Sequence, residues 1–160
     1  MMNTPGFARI ALAFAAAVIL TTLWGAVVQT QFNLTALSGI DMEVDGSLRM
    51  QTVVRDIFSG FTPTYGLYIV VPALLVAFLV AEAVVRLING SRWFWDGLAG
   101  LIGLLLAIPL VNYLAPVALL VGATRDPACT VIMAAGGTVA GVLFVFLLAP
   151  GWRQVVDPRP

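Results

Sequence analysis

Four long stretches without a single charged side chain constrain this sequence more than any other feature. They cover residues 10–40, 57–81, 97–124 and 127–152. Each exceeds the roughly 20 apolar residues that an α-helix needs to cross about 30 Å of hydrocarbon. Helices are favoured over strands, because a backbone in lipid must satisfy its own hydrogen bonds and the stretches lack the two-residue alternation of a barrel.

The predicted fold is therefore an all-α membrane protein in which four transmembrane helices form one bundle. The spans are expected near residues 8–29, 65–87, 96–121 and 128–149, within a single membrane domain that covers 1–160. Composition agrees, since 10% of the residues are charged whereas soluble domains carry roughly 25%. We interpret the first span as an uncleaved anchor, because its apolar run continues past the core of a signal peptide.

The first loop, about residues 30–63, contains an amphipathic pattern in its second half. At 100° per residue one side of this segment is apolar and the other carries Gln51 and Arg55. The apolar side comprises Met50, Val53, Val54, Ile57, Phe58 and Phe61. We expect an amphipathic helix over 47–61 in this outer loop, lying in the membrane interface or capping the bundle.

The arginines predict the orientation of the bundle. Five of them flank the spans on the side of the two termini and three lie on the opposite side, which favours cytoplasmic termini. The lack of lysine and the abundance of alanine, glycine and valine suggest a bacterium, and hence its inner membrane. Tryptophan is expected at the headgroup level near the span ends, and the four are Trp24, Trp93, Trp95 and Trp152.

Small residues recur every four positions in each span. Because lipid provides no hydrophobic drive between helices, such stripes predict close helix packing. The packing residues that we single out are Ala13, Ala17, Gly25, Ala77, Gly103, Gly137 and Gly141.

Glu82 is the acidic residue with the strongest functional interpretation. An intramembrane carboxylate is costly and often serves a proton or a cation. The alternative is an ion pair at the headgroup level with Arg86, one helical turn later, and this alternative is favoured. Asp96, at the entry to the third span, is expected only to complement the helix dipole.

Two further sets of polar residues are candidates for contacts with a solute. Asn112 and Tyr113 lie deep in the third span, where Asn112 either touches a polar solute or bonds a carbonyl freed by a nearby proline. Thr64 and Gln31 fall at the outer ends of the second and first spans. They are predicted either to form a polar vestibule or to cap their helices.

What the sequence lacks excludes several chemistries. There is no histidine and only one cysteine, so histidine-based metal sites, haem ligation, nucleophile activation by histidine and a dithiol relay are excluded within the chain. No phosphate-binding loop or basic run is present, so nucleotide cofactors and nucleic acid are not expected. No catalytic, cofactor or metal residue is predicted, and the chain is not expected to be an enzyme.

The function most compatible with these features is that of a structural or accessory subunit. Its expected partners are the lipid bilayer, and other membrane proteins or a second copy of itself. The first alternative is a transporter or channel component that uses Glu82 and the polar residues of the third span. The second is a lipid-interacting protein that acts through residues 47–61.

Overall fold

The computed structural model describes residues 6–38, 46–59, 61–88, 90–114 and 126–149. Apart from a few residues at the helix ends, the chain is helical within these ranges, and four helices are long and apolar enough to cross a membrane. The prediction of an all-α membrane protein with four spans is confirmed. The elements are α1 (Phe7–Ser38), α2 (Gly46–Ser59), α3 (Phe61–Tyr65), a π-helical segment (Gly66–Val70), α4 (Val71–Ile88), α5 (Arg92–Leu114) and α6 (Pro127–Leu148).

The first helix is longer than predicted. It continues to Ser38, although the sequence pattern ended the span near residue 29 and started a loop at 30. The polar residues in this stretch do not interrupt the helix, because the hydroxyl groups of Thr30 and Thr35 donate to carbonyl oxygens four residues earlier. The interpretation of residues 30–38 as loop is therefore wrong. The predicted end of the third span, residues 115–121, lies outside the described residues, as does Trp152.

The amphipathic helix of the first loop is present as α2. Val53 and Ile57 are half-buried, whereas Met50, Val54 and Phe58 are exposed, with Phe58 at 78%. These three exposed residues are spaced by four and form one apolar stripe along α2. The predicted apolar side is thus split between residues turned towards neighbouring helices and a stripe turned away from them.

The four spans are antiparallel neighbours in the order α1, α6, α5 and α4 around the bundle. Arg9 at the start of α1 lies beside Leu147 near the end of α6, and Glu82 near the end of α4 lies beside Arg92 at the start of α5. We call this end of the bundle the Arg9 end. The opposite end, where α6 begins after Asp126, is called the Asp126 end.

Glycines bring α5 and α6 into backbone contact. A methyl group at Gly100 would overlap the carbonyl of Gly137, and one at Gly137 would overlap the carbonyl of Gly100. One turn towards the Arg9 end, a methyl group at Gly141 would overlap the carbonyl of Asp96. Such close approach matters in lipid, where helix association depends on van der Waals packing.

Contacts between α1 and α6 fix the other side of the bundle. The Trp24 indole lies on Gly136, and its Nε1–H donates to the Ile132 carbonyl at 2.8 Å. Because α1 continues for several turns beyond it, Trp24 lies in the middle of α1, level with the second turn of α6. At the Arg9 end, the Arg9 guanidinium donates to the carbonyls of Leu147 and Ala149 at 2.9 and 2.6 Å.

The second span is irregular where it packs on α1. Pro72 has no N–H, and in a regular α-helix its ring would clash with the carbonyl four residues earlier. The preceding turn is a wider π-helical turn, closed by the Val71 N–H donating to the Gly66 carbonyl. Its neighbour Tyr65 is fully buried with its ring against Gly25, and Gly66 lies against Thr22.

Candidate functional site: a charged cluster at the Arg9 end

The charged residues of the second and third spans form a cluster at the Arg9 end. Glu82 accepts a hydrogen bond from Nε of Arg86 at 2.9 Å and one from the guanidinium of Arg92. The Glu82 side chain is 34% exposed, and that of Arg86 is 76% exposed. Glu82 is therefore held between two arginines close to the end of its helix. An exposed pair of this kind contributes about 0–1 kcal/mol to stability.

Asp96 is the buried member of this cluster. It lies one turn after Arg92 on α5 and is only 1% exposed. Its backbone carbonyl contacts Gly141 of α6, and Arg92 and Glu82 both act electrostatically on its carboxyl group. The helix-dipole interpretation did not anticipate this burial, because the sequence shows Asp96 near a helix start but not which neighbour covers it. The missed signal was Gly141, whose lack of a side chain lets α6 cover Asp96.

The other polar candidates lie at the Asp126 end of the bundle. Asn112 is half-buried and Tyr113 is 81% exposed, near the end of the described part of α5. Thr64 and Gln31 are both half-buried, on α3 and on the last turns of α1. The structure thus separates these residues from Glu82, and it does not bring the set of sequence candidates together.

Gln29 and Thr62 are polar residues that the sequence reasoning did not select. Both have a buried oxygen without a hydrogen-bond partner among the described residues, Oε1 of Gln29 and Oγ1 of Thr62. The antiparallel register in which Gly25 meets Tyr65 places Gln29 at the level of Thr62. Because the predicted helix ended at residue 29, the register that aligns these two side chains was not visible in the sequence.

The small residues of the predicted stripes lie in two settings. Ala13 and Ala17 are buried in the core, and Gly25, Gly137 and Gly141 are covered by the neighbouring contacts described above. Ala77 and Gly103 face one another between α4 and α5, where a methyl group at Gly103 would lie 3.0 Å from the Ala77 Cβ.

A long apolar groove runs between α4 and α5 on the outside of the bundle. Its volume is about 570 Å³. Its lining, almost entirely apolar, is Tyr68, Ile69, Pro72, Ala73, Val76, Ala77, Val80, Ala81, Val84, Trp95, Leu98, Ala99, Ile102, Gly103, Leu106, Ala107, Leu110 and Val111. The sixteen-residue separation of Tyr68 and Val84 corresponds to about 24 Å of helix.

Together, the fold and this surface define an all-α integral membrane protein with a four-helix bundle. Comparison with protein-family models, with curated proteins and with solved structures found no match to this chain. Its function is therefore argued from its own residues.

Proposed function

We propose that the chain is a structural or accessory membrane protein whose helices pack with those of a partner membrane protein. The observation that carries this proposal is the state of Glu82, the residue on which the transport alternative depends. Its carboxylate is engaged by Arg86 and Arg92 close to the end of the bundle. A carrier residue requires a carboxylate that exchanges a solute within the span, whereas Glu82 is arranged as a local ion pair.

The separation of the polar candidates supports the same proposal. Asp96, beside Glu82, and Asn112 are sixteen residues apart on α5, which corresponds to about 24 Å along the helix. A site that binds one small solute in the middle of a bundle needs its polar groups at one depth. The polar residues selected from the sequence lie at opposite ends instead.

The groove between α4 and α5 is the surface to which we assign the partner. It follows both helices, and its almost entirely apolar lining suits a row of apolar side chains from one face of a transmembrane helix. The small residues in the groove allow such side chains to approach both helices closely. The bacterial inner membrane, with both termini in the cytoplasm, is the environment that we propose from the arginine distribution. We assign no enzymatic activity and no cofactor to this chain.

Photo-crosslinking in native membranes tests the proposal. A benzophenone amino acid is placed at Val76 or Leu106 in the groove, and at Leu12 or Val139 as controls on α1 and α6. All four residues are exposed, so a general tendency to crosslink would appear at each of them. We expect a discrete protein adduct from the groove positions alone. The protein in this adduct should also copurify with the chain, in a constant ratio, when no crosslink is made. A chain that purifies alone, with no adduct from any position, would contradict the proposal.

Flux measurements test the transport alternative directly. Purified wild type and Glu82→Gln are reconstituted in vesicles and compared with empty vesicles for proton and cation flux. We expect the same flux in all three preparations, because Glu82 is engaged by two arginines. Flux from the wild type that Glu82→Gln abolishes would establish a carboxylate-coupled carrier and remove the structural proposal.

One observation favours a second candidate function, that of a lipid-interacting protein. The exposed apolar stripe of α2, Met50, Val54 and Phe58, is suited to insertion between lipids at the outer interface. With a brominated lipid as quencher, we expect strong quenching of a fluorophore attached at Phe58 and weak quenching of one at Gln51. Equal quenching at both positions would remove this candidate.

A further inference from the structure

Asp96 presents a buried carboxyl oxygen that the packing of the bundle leaves unsatisfied. Its Oδ2 is inaccessible to solvent and has no hydrogen-bond partner within the part of the chain that the structure describes. Because such an oxygen in an apolar surrounding is unfavourable, native proteins satisfy it with a proton, a water molecule or an ion. In the case of Asp96, therefore, the carboxyl group requires a ligand.

Among the described residues, the charged groups that act on Asp96 come from two helices. They are Glu82 on α4 and Arg92 on α5, and Arg86 of α4 pairs with Glu82. From α6 the contact is the backbone at Gly141, which brings no charge. On α1 the charged residue at this end is Arg9, whose guanidinium is engaged by the last carbonyls of α6.

A donor and an acceptor remain unsatisfied within one helical turn. Arg92 donates one guanidinium N–H to Glu82, while its Nε is buried without a hydrogen-bond partner among the described residues. Arg92 and Asp96 are four residues apart on α5 and are therefore neighbours on one face of the helix. One water molecule between them would accept from Nε of Arg92 and from the O–H of a protonated Asp96, and would donate to Oδ2 once that proton has left.

We propose that Asp96 is a proton-binding site at the Arg9 end, which exchanges its proton with water shared with Arg92. In the exchange, the O–H bond of the carboxyl group breaks and its electron pair stays on Oδ2. The proton forms a bond to the water oxygen, and the resulting hydronium leaves past the partly exposed Glu82. A metal cation is the weaker ligand for this site, because Oδ2 is a single unsatisfied oxygen beside the positive charge of Arg92, whereas Mg²⁺ and Ca²⁺ take six or more ligands. The site is independent of any partner in the α4–α5 groove.

Infrared spectroscopy of the purified full-length protein in detergent tests this proposal. We expect a carbonyl band of a protonated carboxyl group that disappears reversibly as the pH is raised. Transfer to D₂O should shift the band, because the proton exchanges with water. Asp96→Asn should lack the band, whereas Glu82→Gln and the matched control Asp126→Asn, at an exposed helix cap, should retain it.

A second measurement covers the case in which Asp96→Asn does not fold. Labelling all aspartates with ¹³C should shift the band of the wild-type protein, and labelling all glutamates should not. The proposal is overturned if the wild type has no such band, or if the band survives in folded Asp96→Asn. It is also overturned if glutamate labelling shifts the band. The same holds if the band neither changes with pH nor shifts in D₂O, because a permanently protonated structural group would behave in that way.

Discussion

Gly137→Ala tests the backbone contact between α5 and α6, and its neighbour Gly97→Ala is the matched control. A methyl group at Gly137 would overlap the backbone of Gly100 and lie 2.9 Å from Cδ1 of Leu104. Ordinary carbon contacts are about 3.5–4.0 Å, so the two helices must separate by about 1 Å to admit it. A methyl group at Gly97 would instead meet its nearest atom, on Val142, at 3.5 Å and requires no movement.

The two substitutions are therefore expected to change the free energy of unfolding in different ways. Overpacking costs about 1–3 kcal/mol, and a 1 Å gap forfeits about a quarter to a half of each affected dispersion contact. We expect Gly137→Ala to lower the free energy of unfolding by about 1–2 kcal/mol, because the overpacking cost exceeds the gain of up to about 1 kcal/mol from the helical preference of alanine. Gly97→Ala is expected to be neutral or to raise it by up to about 1 kcal/mol, because alanine favours the helical backbone over glycine.

Unfolding in mixed micelles, followed by circular dichroism as the fraction of SDS is raised, measures both effects. Gly100→Ala should resemble Gly137→Ala, and the double variant should lose less stability than the sum of the two. One separation of the helices relieves both clashes, so the two effects are not additive. Equal stability of Gly137→Ala and wild type, or equal losses in Gly137→Ala and Gly97→Ala, would refute the close approach of α5 and α6.

Three further substitutions test contacts elsewhere in the bundle, each by the same unfolding measurement. Trp24→Phe removes the bond from Nε1 to the Ile132 carbonyl and should lower the free energy of unfolding by about 1 kcal/mol; no change would place the indole elsewhere. Arg9→Gln removes a cation from the C-terminal end of α6 and should lower the free energy of unfolding by about 0.5–2 kcal/mol, and by less at high salt. A loss that salt does not change would contradict an electrostatic interaction between Arg9 and this helix end. Glu82→Gln should cost less than about 1 kcal/mol because its ion pairs are partly exposed; a loss of several kcal/mol would show a buried, essential carboxylate.

The sequence predicts the number of transmembrane helices, because a run of about 20 residues without charged side chains is what hydrocarbon can surround. The ends of α1 are harder to predict. Its residues beyond position 29 are polar but uncharged, and local hydrogen bonds such as that of Thr30 allow them to remain helical. The same extension of α1 puts Trp24, which was expected near the end of the first span, in the middle of the helix.

The candidate site was only partly predictable. The spacing of Glu82 and Arg86 within one helix indicates an ion pair, since residues four apart are neighbours. The addition of Arg92 and the burial of Asp96 depend on how α4, α5 and α6 meet. That arrangement is set by contacts between distant residues, such as Gly141 with Asp96, which no local pattern in the sequence contains.

Accessibility of single cysteines in native vesicles tests most directly whether hydrocarbon surrounds the bundle. In a Cys129→Ala background, cysteine is placed at Leu79 and Val139, which project outwards from the middle of their spans away from the groove, and at Gly6 and Asp126 at the two ends. A water-soluble maleimide should label the end positions, each from a different side of the membrane. Leu79 and Val139 should remain unlabelled until SDS is added, although both side chains are more than half exposed on the protein surface. Rapid labelling of these two positions in intact vesicles would show that water, not lipid, covers the bundle.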